Sequence, residues 1–153
     1  MKEILLKRGL VALVDDEDYE YLTQWKWSVV ETYNGNAYSF RRIKISDYRY
    51  KTIMMHNVIL NTPDGFLCDH KDRNGLNNQR SNLRLCNRSQ NMANRCKWGS
   101  QKYKGVVFRK GLFEVMVAKQ LVGVFSDERS AALKYNEEAL KKFGEFAVLN
   151  IVI

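Results

Sequence analysis

FLCDHKDRNGLNNQRSNLRLCNRSQNMANRCK, residues 66–97, is the stretch from which the rest of the chain is best read. Its apolar start runs into Asp69-His70, the end of a short strand. The next ten residues are polar and rich in Asn and Gly, the composition of a turn-forming loop. Residues 83–86 predict a second short strand, and residues 87–95 a helix. Neighbours on a strand point to opposite faces, so Asp69 and His70 can serve different partners, one a cation and the other water. Imidazole titrates closest to neutrality, and His70 is one of only two histidines in the chain.

Strand, loop, strand and helix with Asp-His closing the first strand resembles the HNH nuclease motif, the ββα-metal fold, in its phage and bacterial homing-endonuclease branch. The resemblance rests on Asp69 and His70, on Asn82 in Ser81-Asn-Leu-Arg-Leu85, and on Asn91 in Ser89-Gln-Asn91. It implies a metal-dependent endonuclease that hydrolyses a phosphodiester bond of double-stranded DNA, inside a bacterial cell or a phage-infected host. His70 would be the general base, Asn82 would tie down the loop and support the base, and Asp69 and Asn91 would hold one divalent metal. No small-molecule substrate is implied. One copy of the motif in a short chain implies a monomer that nicks one strand.

The residue types suit that chemistry. Phosphodiester hydrolysis needs a nucleophilic water, a proton acceptor and a cation against the charge on phosphate and leaving oxygen. A carboxylate and an amide oxygen favour a hard ion, Mg²⁺ or Mn²⁺. The final His of the family name is replaced by Asn91, which disfavours zinc in the catalytic site. Cys68, Cys86 and Cys96 lack paired spacing and predict free thiols in a reducing cytoplasm, with Cys68 and Cys86 as cross-strand neighbours. Arg88 and Arg95 flank Asn91 at helical spacing, where they either hold phosphates or form a solvated basic face. Arg84 is a further candidate for DNA. His56, in a Met-His string, predicts a structural hydrogen-bonding residue.

The remaining sequence frames this centre. The 153 residues carry 25 Lys+Arg against 17 Asp+Glu, a formal charge of +8, which points to nucleic acid. The excess is +1 over residues 1–61, +4 over 62–101 and +3 over 102–153. No apolar run approaches the ~20 residues of a membrane span, and the start lacks a signal peptide's apolar middle. Residues 4–14 predict one strand, Asp15-Asp16 the start of a helix, and Asn34-Gly35 a hairpin turn. In residues 37–45, Tyr38, Phe40, Arg42 and Lys44 alternate onto one face, suited either to a phosphate backbone or to plain solvation.

Residues 102–150 carry a second resemblance, to the apetala-type DNA-binding domain of plant ethylene-response factors. It rests on Tyr103-Lys-Gly-Val106, Gly123-Val-Phe125, Ala131-Ala-x-x-Tyr135-Asn136 and Leu149-Asn150. It implies a three-stranded sheet on DNA with a helix behind. The arginine-and-tryptophan pattern of that family's sheet is thinned, so Lys104, Arg109, Lys110 and Lys119 are the candidates, for phosphates more than bases. The whole is therefore an α+β chain in three segments. Residues 1–53 form a small antiparallel sheet with a helix, 54–100 the ββα-metal motif, and 101–153 a three-stranded sheet packed on a helix. A non-catalytic DNA-binding regulator with a degenerate nuclease fold is the alternative function, and an RNA-binding protein a third. The full set Asp69, His70, Asn82 and Asn91 favours the enzyme, because a binder has no use for a base beside a metal ligand.

Overall fold

A computed structural model describes every residue except Asn34, Trp98 and Ser100. It divides into two compact units, Met1–Asn87 and Arg88–Ile153. Both mix small antiparallel sheets with few helices.

The first unit opens with β1 (Lys2–Leu5) and β2 (Val11–Val14), paired antiparallel from Lys2↔Val14 to Leu5↔Val11. The single strand expected over residues 4–14 is thus a hairpin. Its apolar run is interrupted by a 3₁₀ turn, Lys7–Gly9, in which Arg8 and Gly9 both take positive φ. Helix α1 (Asp16–Thr23) follows the acidic start as expected, but the Asp15 carboxylate does not cap it. That carboxylate accepts from the Arg80 backbone N–H at 2.7 Å and from Gln79 Nε2 at 3.1 Å.

Next come β3 (Ser28–Glu31), β4 (Ala37–Ser46) and β5 (Arg49–Met54), an antiparallel meander in that order. At the β3–β4 turn Gly35 has φ +78° and donates to Thr32 O; its partner Asn34 in the expected Asn-Gly turn lies outside the described residues. Helix α2 (Met55–Ile59) leads to the antiparallel pair β6 (Leu67–His70) and β7 (Leu83–Cys86). Leu22, Trp27, Met55 and Leu83 share one core with Ile4 and Val14, so residues before and after 53 fold around the same apolar centre. Trp27 is buried with its Nε1–H donated to Leu22 O at 2.8 Å, which removes the polar penalty of placing an indole there.

The second unit starts with α3 (Arg88–Ala93), shorter than the helix expected over residues 87–95, so Arg95 lies beyond its end. Strands β8 (Val106–Arg109), β9 (Leu112–Val117) and β10 (Gln120–Phe125) form a sheet with β9 central. Helix α4 (Glu128–Phe143) is capped as predicted, Asp127 accepting from Ser130 N–H at 2.8 Å. Ala131, Ala132, Tyr135 and Ala139 turn inward onto Val106, Val115 and Val117. Gly105, at φ +72°, lies against the Tyr135 ring, where a Cβ would come within 2.2 Å. The C-terminal segment is fastened by Asn150, whose side chain exchanges two hydrogen bonds with the Lys104 backbone.

Candidate active site

Asp69 and His70 end β6 and pair with Arg84 and Leu83 of β7. Both are about 5% exposed. Arg84 Nε and Nη2 donate to Asp69 Oδ2, each at 2.9 Å. Arg84, expected on DNA, is therefore the buried ion-pair partner of the candidate metal ligand, for the simple reason that cross-strand register sets the two side by side.

The loop after His70 is held by side-chain amides. Asn82 Oδ1 accepts from Asp72 N–H at 3.0 Å, and its Nδ2 donates to Asp72 Oδ1 at 2.9 Å and Asn77 O at 2.8 Å. Its backbone carbonyl accepts from Lys71 N–H at 2.9 Å. Asp72 also accepts from Asn74 N–H and Asn77 Nδ2. Burial alone would raise the Asp72 pKa; the bonds from Asn74, Asn77 and Asn82 and the nearby His70 outweigh it and hold the carboxyl below its usual range.

Sequence reasoning missed Asn78 and Tyr38. Asn78 is fully buried, with Nδ2 donating to Ser39 Oγ at 3.2 Å and Leu76 O at 3.1 Å. Those donations fix which end of the amide is oxygen, so the Oδ1 lying 3.5 Å from His70 Nε2 is an acceptor, and Nε2 carries the proton in that contact. The repeated Asn at 74, 77 and 78 was the available signal, but composition alone distinguished none of them from loop filler. Tyr38, on β4, places its ring 5.7 Å from His70. Gly75 keeps this packing possible, since a Cβ there would meet the Tyr38 ring at 2.4 Å.

His70 also faces His56, ring centroids 5.1 Å apart and nearly perpendicular. His56 was expected to be a hydrogen bonder. Its buried Nδ1 instead has no partner among the described residues. Burial, then the neighbouring His70, pushes its pKa down to about 3. Burial also lowers the His70 pKa, against the opposing pull of Asn78, Asp72 and Asp69, so the ring is neutral at neutral pH.

The other candidates scatter. Arg42 and Lys44 are exposed on β4, Lys44 bonded to Asp47 at 2.8 Å. Arg80 forks onto Asp18 at 2.7 and 2.9 Å, an internal clamp. In the second unit Asn91 is half-buried on α3, and Arg88 and Arg95 are exposed. Lys104 Nζ donates to the carbonyls of Ala93 and Arg95, satisfying the C-terminal end of α3 rather than projecting to DNA. Arg109 lies 3.7 Å from Glu114, while Lys110 and Lys119 occupy the turns at opposite ends of β9. The sheet face away from α4 carries Val107, Arg109, Glu114, Met116 and Val124, mostly apolar and with Arg109 set against Glu114, where a phosphate-binding face would be predominantly basic.

Among the described residues no three His, Cys, Asp or Glu side chains form a metal cluster. Cys68 and Cys86 are diagonal rather than direct cross-strand neighbours, and burial pushes their thiols up to about 12 and about 11, away from the thiolate zinc needs. No helix among the described residues is long and apolar enough to cross a membrane.

Residues 61–93 match the HNH endonuclease family model. That segment contains Asp69, His70, Asn82 and Asn91. A protein described as an uncharacterized HNH endonuclease of Acanthamoeba polyphaga mimivirus is 26% identical over 152 residues, covering 94% of this chain and 76% of its own length. The similarity therefore runs through both units, and together these findings support a nuclease. No solved structure matches.

Proposed function

We propose that the protein is a metal-dependent DNA endonuclease of the homing type, acting in the cytoplasm of a bacterial or infected cell. One observation carries the reading. Adjacent Asp69 and His70, both buried on β6 beside an amide-clamped loop, fall inside the segment that matches the HNH model. His70 is neutral, with its Nε2 proton directed at Asn78, and so offers Nδ1 to take a proton from water. The imidazolium that results is favoured by Asn78 and by the charges of Asp72 and Asp69. Asn82 keeps Asp72 and the loop in place for that event.

The donors fit a hard divalent cation. Mg²⁺ uses one or two carboxylates and keeps waters or phosphate oxygens for the rest of its shell. Asp69 is such a carboxylate, and the resemblance adds the Asn91 amide oxygen. Mg²⁺ or Mn²⁺ held there would neutralise charge on the phosphate and the departing oxygen. Arg88 and Arg95 are the proposed phosphate contacts, and Arg42 and Lys44 add a second grip. Arg109, Lys110 and Lys119 of the domain resembling the ethylene-response factors give at most scattered phosphate contacts.

Nicking of supercoiled plasmid tests the proposal. Wild type should convert it to open circles with Mg²⁺ or Mn²⁺ and stop on addition of EDTA, and His70→Ala should bind DNA without cutting it. Cutting that survives chelation or the substitution removes the reading.

A further inference from the structure

Strands β4 and β5 continue past their neighbour as a bare ribbon. β3 pairs with β4 only over residues 37–40, so over residues 41–53 the two strands have only each other in the ladder. Every residue from 42 to 52 is exposed, with Tyr48 98% and Tyr50 59% in solvent. Such a hairpin gains little from apolar burial and is marginal by itself. Something other than core formation accounts for its length.

Its charge is one-sided and its faces are not. Residues 41–51 hold five basic groups and one acidic group, Asp47. Arg41 is turned inward, stacked 4.1 Å over Trp25. The other four project from the ribbon. Register sets Arg42 and Lys44 on one face with Thr52 and Tyr50, and Lys51, opposite Ile43, on the other face with Arg49 two residues on. A ribbon lying flat on one phosphate backbone needs cations on one face only. Cations on both faces suit a ribbon standing between two rows of phosphates. The major groove of B-DNA, about 12 Å wide, admits a two-stranded ribbon, whereas that of A-form RNA is too narrow.

The ribbon is also registered to the candidate active site. Tyr38 lies on the same strand and face as Arg42 and Lys44, with its ring 5.7 Å from His70. At ~3.3 Å per residue, the tip at Asp47 lies roughly 30 Å from Tyr38. That is about 9 base pairs at ~3.4 Å each. We propose that residues 41–53 form a DNA arm that enters the groove of a B-form duplex and grips about one helical turn on one side of the phosphate addressed by His70. The grip stands on the ribbon alone; the position of the cut rests on the nuclease reading.

The test uses the full chain and its Arg49→Ser/Lys51→Ser variant, both changes on exposed positions, with thermal melting to verify an unchanged fold. Binding to a fluorescein-labelled 30-base-pair DNA duplex is followed across a salt series. The same is done with an RNA duplex of equal sequence and with phosphatidylserine vesicles. Two lost contacts should flatten the log–log slope by about 1.8 and weaken DNA binding about 60-fold at 0.1 M salt. In nicking assays, trimming one side of the mapped cut below about 9 base pairs should weaken wild type and leave the variant unaffected. An unchanged slope, an equal loss on RNA, or a loss confined to vesicles overturns the arm. Wild type that shows the slope change but never nicks with either metal keeps the arm and loses the nuclease.

Discussion

Replacing His56 by Phe should make the first unit less sensitive to acid, and the size of the effect follows from the burial of one ring. His56 sits 8% exposed beneath Tyr38 and beside His70, with its pKa pushed from an ordinary 6.5 to about 3. Above pH 6.5 the ring is neutral whether the chain is folded or not, and its titration has no effect on stability. Below that, the unfolded chain takes up a proton that the folded chain refuses, so stability falls with pH until about 3, where the folded ring protonates as well. At ~1.36 kcal/mol per pH unit, the loss is about 2 kcal/mol at pH 5. Other groups titrate over the same range, so the quantity to measure is a difference. Urea unfolding of wild type and His56→Phe, followed by the fluorescence of Trp25 and Trp27, should give stabilities whose difference changes by about 2 kcal/mol between pH 7 and 5, in favour of the variant. A difference constant across that range would mean that His56 is not held neutral by burial.

Four further outcomes are expected. His70→Ala should lose ~10²–10⁴-fold in nicking rate at unchanged duplex affinity, measured by nicking and by anisotropy. Arg84→Met should cost about 3–5 kcal/mol in urea unfolding, because it removes the cationic partner of the buried Asp69 carboxylate; a loss of DNA affinity at full stability would instead return Arg84 to the DNA surface. Ala118→Asn with Lys119→Gly should raise the melting temperature of the second unit, relieving two left-handed residues (φ +49° and +66°) of about 1 kcal/mol in all. Truncation after Gln101 should abolish nicking, since α3 belongs with the second unit, where Val148 N–H and Lys104 Nζ bond to Ala93 O; a truncated chain that still nicks would show that α3 keeps its place unaided.

Local patterns were legible in the sequence wherever local chemistry decides the structure. The β6–loop–β7 order, the Asp127 cap and the inward alanines of α4 all follow from short-range rules. What could not be read depends on register or on distant partners. The apolar run over residues 4–14 gives no hint that Arg8 and Gly9 turn back on themselves. His56 and His70 are fourteen residues apart, and α2 and β6 bring their rings together beside that of Tyr38 on β4. The helix pattern extends to residue 95, whereas α3 ends at Ala93, and the carbonyls of Ala93 and Arg95 are met by Lys104, nine residues beyond Arg95.

The same dependence reverses the reading of charge. Summed over residues 1–61 the excess is only +1, although Arg42 and Lys44 of that segment are candidates for DNA. The acidic groups there, however, are gathered on and around α1, where Asp15, Glu17 and Asp18 all engage Arg80. With those carboxylates engaged by a residue of the motif segment, the cations of the β4–β5 ribbon face solvent with a single acid among them. Conversely, Arg80 and Arg84, which sit beside the motif in sequence, are held by Asp18 and Asp69, and Lys104 by carbonyls. A cation with an internal partner must lose it before it can neutralise a phosphate, and for a pair as buried as Arg84–Asp69 that loss exceeds what one phosphate contact returns. Proximity to the motif in sequence therefore does not by itself leave a cation free of an internal partner, as Arg80, Arg84 and Lys104 show. On the ribbon that leads out from Tyr38, Lys44 is paired with Asp47, whereas Arg42, Arg49 and Lys51 have no carboxylate partner among the described residues and are the cations of that ribbon best able to meet a phosphate.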